Sequence, residues 1–209
     1  KNKAGPKTSL TPSNSTAGPF RSTSCPPIMN SYSDVGIVLK RSNLGEADKL
    51  ITFYTRHHGK VTAIARGLRR PTSKRAGSLE LFNVVKSSFI RGRGELDTLA
   101  EVLILESHSG WRKHLGRVNL AYQLAEVVDK LTPDHQSHPE IFEILSLALS
   151  QISSLGSDWS LKIKNLKLKI LVELGYWPKA REFTGEVDHF IEGLINRPLN
   201  SPKLLSRLK

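Results

Sequence analysis

The sequence predicts an α+β chain, with a five-stranded barrel in the first half and an all-helical domain in the second. Three observations carry this. Five short segments between Asp34 and Glu106 are β-branched or alternate apolar with polar residues. After Glu106 the apolar period becomes helical. Residues 1–33 show neither pattern.

Those first 33 residues are rich in Ser, Thr, Pro, Gly, Asn and Lys and contain no acid. They carry too little apolar surface to offset the entropy of ordering, so a disordered basic leader is expected. The only methionine, Met29, stands just before the first patterned segment, and the folded part is expected to begin near it. The leader lacks the apolar stretch of a secretory signal.

The first predicted strand is "VGIVLKR" (35–41) and the second "DKLITFYTR" (48–56). "HHGK" (57–60) is a turn in which Gly59 supplies a positive φ, and "VTAIARG" (61–67) returns. After a 13-residue basic connection come "LFNVVKSSFI" (81–90), the turn "RGRGEL" (91–96) and "DTLAEVLILE" (97–106). Five short strands in about 75 residues fit a small closed barrel of the OB type, over 34–107.

In the helical domain, 108–209, "LGRVNLAYQLAEVVDKL" (115–131) aligns Leu120, Leu124, Val127, Val128 and Leu131 on one stripe. "HPEIFEILSLALSQISSL" (138–155) has Pro139 at a helix start. "SDWSLKIKNLKLKILVELGYWP" (157–178) opens on a Ser-Asp cap signal and closes at Gly175 and Pro178. "VDHFIEGLI" (187–195) is a shorter amphipathic piece, and 201–209 reads as a last turn or two. Lys162, Lys164, Lys167 and Lys169 interleave with apolar residues, as in a core-packed helix whose lysine heads stay wet.

A net charge of +12 draws polyanions, nucleic acid or anionic lipid. No apolar run reaches the roughly 18 residues that a membrane span needs, which favours nucleic acid. The charge is uneven. Residues 35–106 hold thirteen Lys/Arg against seven Asp/Glu, and 56–75 hold seven against none. A surface built for solubility alone mixes both signs.

Catalytic signatures are absent: there is no GxxxxGK[ST], HExxH, GxSxG or HxE…PCxxC. "RGRGEL" contains a GxG but leads into a strand, so it is a turn and not a dinucleotide loop. His57 and His58 are adjacent, point to opposite sides and read as turn residues. Cys25, the only cysteine, lies in the leader without a base, which excludes a disulfide framework and a cysteine zinc site. Neither enzyme chemistry, metal nor cofactor is expected, and one unpaired cysteine is compatible with a reducing cytoplasm.

Phosphate contacts on an OB-type barrel come from the strand 2–3 face and the 1–2 and 4–5 loops. The residues expected to hold a nucleic-acid backbone are Arg56 and Lys60 beside the 2–3 turn, and Arg66, Arg69, Arg70, Lys74 and Arg75 in "ARGLRRPTSKRAG" (65–77). Arg91 and Arg93 of the 4–5 loop complete them, while Lys40 and Arg41 begin the 1–2 loop. Phe53 and Tyr54 are assigned to packing rather than base stacking. Little sequence preference follows, since no base-reading helix is evident.

The segments "GIVLKR", "GEADKLITFYTR", "HGKV", "ARGLRRPTSKRAGSLELF" and "RGRGELDTLAE" closely resemble, in order and spacing, the amino-terminal domain of the RecO family of DNA repair proteins. The likeness continues through "AYQLAEVVDKL", "HPEIFEILSLAL", "LKLKILVELGYWP" and "GLINRPLNSPKLLSRLK", about 170 residues in all. It implies an OB-fold followed by a helical domain, binding of single- and double-stranded DNA, and strand annealing. It also implies partnership with RecR and single-stranded-DNA-binding protein, help in loading the recombinase RecA, and a cytoplasmic, nucleoid-associated location. Many members follow LGYxP with cysteine pairs that bind zinc. Here Phe183 and Glu186 stand at the first two cysteine positions, so the zinc module is missing.

Two other readings remain open at this level. An adaptor would dock the acidic tail of single-stranded-DNA-binding protein on the helical domain at Arg112, Lys113 and Arg117. An RNA-binding OB protein would use the same phosphate-tracking groove.

Overall fold

The computed structural model describes residues 30–70, 73, 75–92, 94, 96–152 and 159–201. The leader expected over 1–33 therefore lies outside the described residues up to Met29, as do Cys25, Lys74, Arg93 and residues 202–209 of the last predicted turns.

Five strands, β1 (Ser31–Leu44), β2 (Asp48–Thr55), β3 (Gly59–Ala65), β4 (Val84–Ile90) and β5 (Asp97–Glu106), close in the order β1-β2-β3-β5-β4. Among the described residues four helices follow: α1 (Leu115–Leu131), α2 (Pro139–Gln151), α3 (Trp159–Glu173) and α4 (Val187–Ile195). This is the expected OB-type barrel and helical domain. β1 serves two neighbours, β4 over Ser31–Ile37 and β2 over Gly36–Leu44, and a register shift between Val38 and Lys40 bends it around the barrel. Closure is thin: β3 meets β5 in parallel only at Ala63↔Asp97 and Ile64↔Thr98.

Alternation sorts the side chains. Val38, Ile51, Phe53, Val61, Ala63, Val85, Phe89 and Leu99 fill the barrel, and Leu68 and Leu79 of the 66–83 connection join them. The residues between them point outward. Ile37, Leu39, Tyr54 and Val84 enter a second core with Trp111, Leu124, Val128, Ile141 and Leu145. Phe53 and Tyr54 are both fully buried, one in each core, in line with their packing assignment. Each large side chain buried this way contributes about 1.5–3 kcal/mol.

Several boundaries move. β1 starts at Ser31 and not after Ser33, because Tyr32 stacks on Phe89 at 5.2 Å and donates to Asp97 at 2.5 Å. Lys40 and Arg41 belong to β1, opposite Thr52 and Ile51, rather than to the 1–2 loop. β4 begins at Val84, where Phe82 takes a positive φ of 67° and its N–H donates to Val38 O. Gly59 has the positive φ foreseen for it, 68°. α3 ends at Glu173 and is closed off by Gly175 (φ 78°), whose follower Tyr176 donates back to Leu171 O at 2.9 Å. Lys167 departs from the wet lysine face: it is 2% exposed, and its Nζ donates to Gln123 Oε1 (2.8 Å) and Asp188 Oδ1 (2.5 Å).

Candidate nucleic-acid interface

The basic connection leaves β3 at Arg66 and turns at Gly67, whose φ is 67°. It is an arm docked on the β1–β2 turn. Gly67 N–H donates to Asp48 Oδ1 (2.7 Å), Arg69 N–H to Ala47 O (2.9 Å) and Arg69 Nη1 to Gly45 O (2.7 Å). Leu68 plugs the barrel between them. The effect is to aim Arg66, Arg69 and Arg70 outward, all three exposed, with Glu46 the acid of the adjoining turn.

Beside this arm lies the outer face of β1, β2 and β3. Lys40 pairs across to Thr52 and Thr52 to Thr62, with the two threonine hydroxyls 3.2 Å apart. Leu50 and Ile64 form the next row and are half-buried. These strands present a polar, cation-flanked strip without an aromatic ring, suited to a phosphate chain rather than to base stacking. Sequence reading missed Lys40 as part of this face; the two-residue alternation across Lys40, Ser42, Leu50 and Thr52 was the available signal.

The other expected contacts are dispersed. Arg75 is turned inward as a seam: its Nη2 donates to Arg66 O (2.8 Å) and its Nη1 to Ala100 O (3.3 Å), bridging β3 and β5 where their ladder has run out. Arg91, on the β4–β5 turn at the other end of β1, lies over the Tyr32 ring at 5.3 Å.

Arg56 is exposed and Lys60 half-buried, and both are already paired with acids of the helical domain. Arg56 binds Glu143 of α2 and covers the Phe142 ring at 5.7 Å. Lys60 is gripped by α1 and the segment after it, 3.7 Å from Asp129 Oδ1 and 3.4 Å from Asp134 Oδ1. Both are barrel-to-helix ties, because the β2–β3 turn is the part of the barrel that α2 covers. That turn is also organised by Asp34, whose carboxylate accepts from the backbone N–H groups of Val35, His57 and His58 and bonds Nδ1 of both histidines. Both imidazoles thus approach one carboxylate through Nδ1, which corrects the expectation that they point apart.

Of the adaptor residues, Arg112 is locked rather than displayed. Its Nη2 donates to Leu81 O and Asn83 Oδ1, each at 2.6 Å, and Glu80 bridges it to Arg41. Lys113 is exposed and Arg117 half-buried on the first turn of α1.

Phe183 packs edge-on against Trp177 (4.9 Å) and Phe190 (5.7 Å), and Arg181 lies over Trp177 at 5.2 Å. Glu186 precedes α4. Among the described residues no group of three His, Cys, Asp or Glu is placed to hold a metal, and no helix is long and apolar enough to cross a membrane.

Comparison with known proteins accords with this arrangement. Residues 29–108 match the family model described as Recombination protein O N terminal, and residues 112–182 the one described as Recombination protein O C terminal. A DNA repair protein RecO of Pelotomaculum thermopropionicum is 34% identical over 151 residues, 72% of this chain and 57% of the relative. That of Symbiobacterium thermophilum is 35% identical over 154 residues, 74% of this chain and 60% of the relative. That of Myxococcus xanthus is 33% identical over 151 residues, 72% and 62% of the two chains. The chain therefore spans less than two thirds of the length of the curated relatives it matches.

Proposed function

The chain belongs to the Recombination protein O family, and from that premise we propose that it is a non-catalytic DNA-binding and strand-annealing protein of recombinational repair. The observation that carries this is the docked arm. Arg66, Arg69 and Arg70 stand exposed on one rim, beside the Lys40–Thr52–Thr62 strip of the barrel.

Cations fixed on a rigid rim bind backbone phosphates mainly by releasing condensed counterions, so they hold DNA without regard to sequence. The same charge lowers the repulsion between two approaching strands, which is the barrier to annealing. Single- and double-stranded DNA are both substrates on this reading, and the site of action is the nucleoid in the cytoplasm. Single-stranded-DNA-binding protein and RecR are the protein partners, and the product is DNA on which a recombinase is loaded. No side chain in the proposed interface is asked to make or break a bond.

The test is annealing of complementary strands coated with single-stranded-DNA-binding protein. The wild-type chain is expected to accelerate it and an Arg66→Ala/Arg69→Ala/Arg70→Ala variant to lose the acceleration. Equal rates with and without the wild-type chain would overturn the proposal.

A further inference from the structure

An acid stands at the root of the basic arm. Asp48 is the first residue of β2, half-buried and paired across the β1–β2 turn with Leu44. The pairing of β2 with β3 ends at Lys49↔Ala65, one residue before the arm begins at Arg66. From there no strand ladder guides the chain, and Asp48 takes over. Its Oδ1 accepts the N–H of Gly67 at 2.7 Å, where the backbone turns left-handed with a φ of 67°. Two residues on, Arg69 N–H and Nη1 reach Ala47 O and Gly45 O of the same turn. On the opposite side Arg66 O accepts from Arg75 Nη2 at 2.8 Å. Glu46 makes the contrast. It brings an exposed charge to the turn, while the arm's bonds there go to Gly45 O, Ala47 O and Asp48 Oδ1.

We propose that Asp48 is a positioning residue for DNA, and that it raises affinity for a strand whose charge it repels. This rests on the DNA-binding reading of the arm. Two effects of opposite sign meet in one carboxylate. Its negative charge lowers the potential that phosphates meet near Arg66, Arg69 and Arg70. In water, at a separation near the Debye length, that effect is about twofold or less for each phosphate. Its bond to Gly67 N–H is charge-assisted and sits at the hinge of the arm, so it fixes where the three arginines stand before a strand arrives. An arm that the strand itself had to order would lose about five- to thirtyfold in affinity for each backbone residue so fixed. Positioning therefore outweighs repulsion. Glu46 contributes the repulsion alone, and the two acids of one turn act on DNA binding with opposite signs.

The experiment is titration of a labelled single-stranded oligonucleotide with the full chain, wild type beside single variants and the Arg66→Ala/Arg69→Ala/Arg70→Ala variant. Glu46→Ala is expected to bind up to about twofold tighter than wild type at low salt. Asp48→Asn is expected to tighten likewise, since it loses the charge and keeps a carbonyl oxygen for Gly67 N–H. Asp48→Ala loses the same charge together with the acceptor, and is expected to bind about five- to thirtyfold weaker. A double-mutant cycle separates positioning from damage to the fold. In the triple-arginine background Asp48→Ala is expected to cause no further loss, because the cations it would aim are gone. If Asp48→Ala does not fold, Asp48→Ser, whose oxygen lies one bond shorter of Gly67, is read in its place.

Asp48→Ala binding as tightly as Asp48→Asn would overturn the positioning role, and so would an equal loss with and without the three arginines. In either case a weakened triple-arginine variant would leave the DNA reading standing. A triple-arginine variant that binds like the wild type would overturn that reading and this inference with it.

Discussion

The Nζ of Lys60, on β3, donates to the backbone carbonyl of Asp129 on α1 at 2.8 Å, tying the barrel to the helices. The carboxylates of Asp129 and Asp134 stand within 4 Å of the same ammonium, and Lys60 is only 14% exposed. Lys60→Ala is therefore expected to reduce stability by about 1.5–3 kcal/mol and to leave DNA affinity within a factor of two. Urea unfolding and a DNA titration on the same variant separate the two effects. A large loss of DNA affinity at unchanged stability would return Lys60 to the phosphate-binding set.

Gly59 sits two residues after His57 with a φ of 68°, and a Cβ there would stand 2.0 Å from Gln136 O. Gly59→Ala is expected to break the seating of the β2–β3 turn on the segment 134–138, beyond the strain of the positive φ alone. A melting temperature lowered by several degrees is the expected readout, and an unchanged one would mean that this contact is loose.

Asp34 and Glu126 predict how stability depends on pH. Burial opposes ionisation of Asp34, but bonds from His58, His57 and the backbone outweigh it and hold its carboxyl below the ordinary value. Glu126 is likewise opposed by burial and lowered by Ser201 and Asn200, which it ties to α1. A depressed folded pKa contributes stability that is present above the unfolded value and is lost as pH falls through the folded one. Stability is expected to fall with acid below about pH 4. Asp34→Asn and Glu126→Gln are each expected to be less stable at pH 7 and to lose less on acidification. Denaturant midpoints measured from pH 7 to pH 2.5 test this, and parallel curves for wild type and both variants would refute it.

Trp177, Phe183 and Phe190 pack ring against ring after α3, so the helical end is expected to be indifferent to chelators. Phe183→Ala, which removes two edge-on ring contacts from a half-buried site, is expected to cost about 1–3 kcal/mol. Thermal melts with and without a strong chelator make the comparison. A chelator-induced drop in the wild type would contradict the aromatic staple.

What the sequence disclosed was what local pattern controls. The limits of β5, α1 and α4 fall where alternation and the helical stripe put them, and Gly59 and Gly175 take the positive φ that their turns require. Side-chain partners far away in the chain were not legible. Arg56 and Lys60 looked like free cations because Glu143, Asp129 and Asp134 follow about 70–90 residues later. Arg75 counted as one more phosphate contact until barrel closure brought Ala100 beside it. Lys167 kept its place on a wet face until Gln123 and Asp188 arrived from two other helices. Arg66, Arg69 and Arg70 are local in sequence and held by a local turn, which is why their grouping on one exposed arm was legible.

The most direct test of the account is the affinity of the protein for a single-stranded oligonucleotide across a salt series, with wild type beside Arg66→Ala/Arg69→Ala/Arg70→Ala. Removing three phosphate contacts should weaken binding at every salt concentration and flatten the log–log salt dependence by about 2, at roughly 0.7 per contact. Unchanged affinity and an unchanged slope, in a variant that melts like the wild type, would contradict the claim that this arm holds DNA.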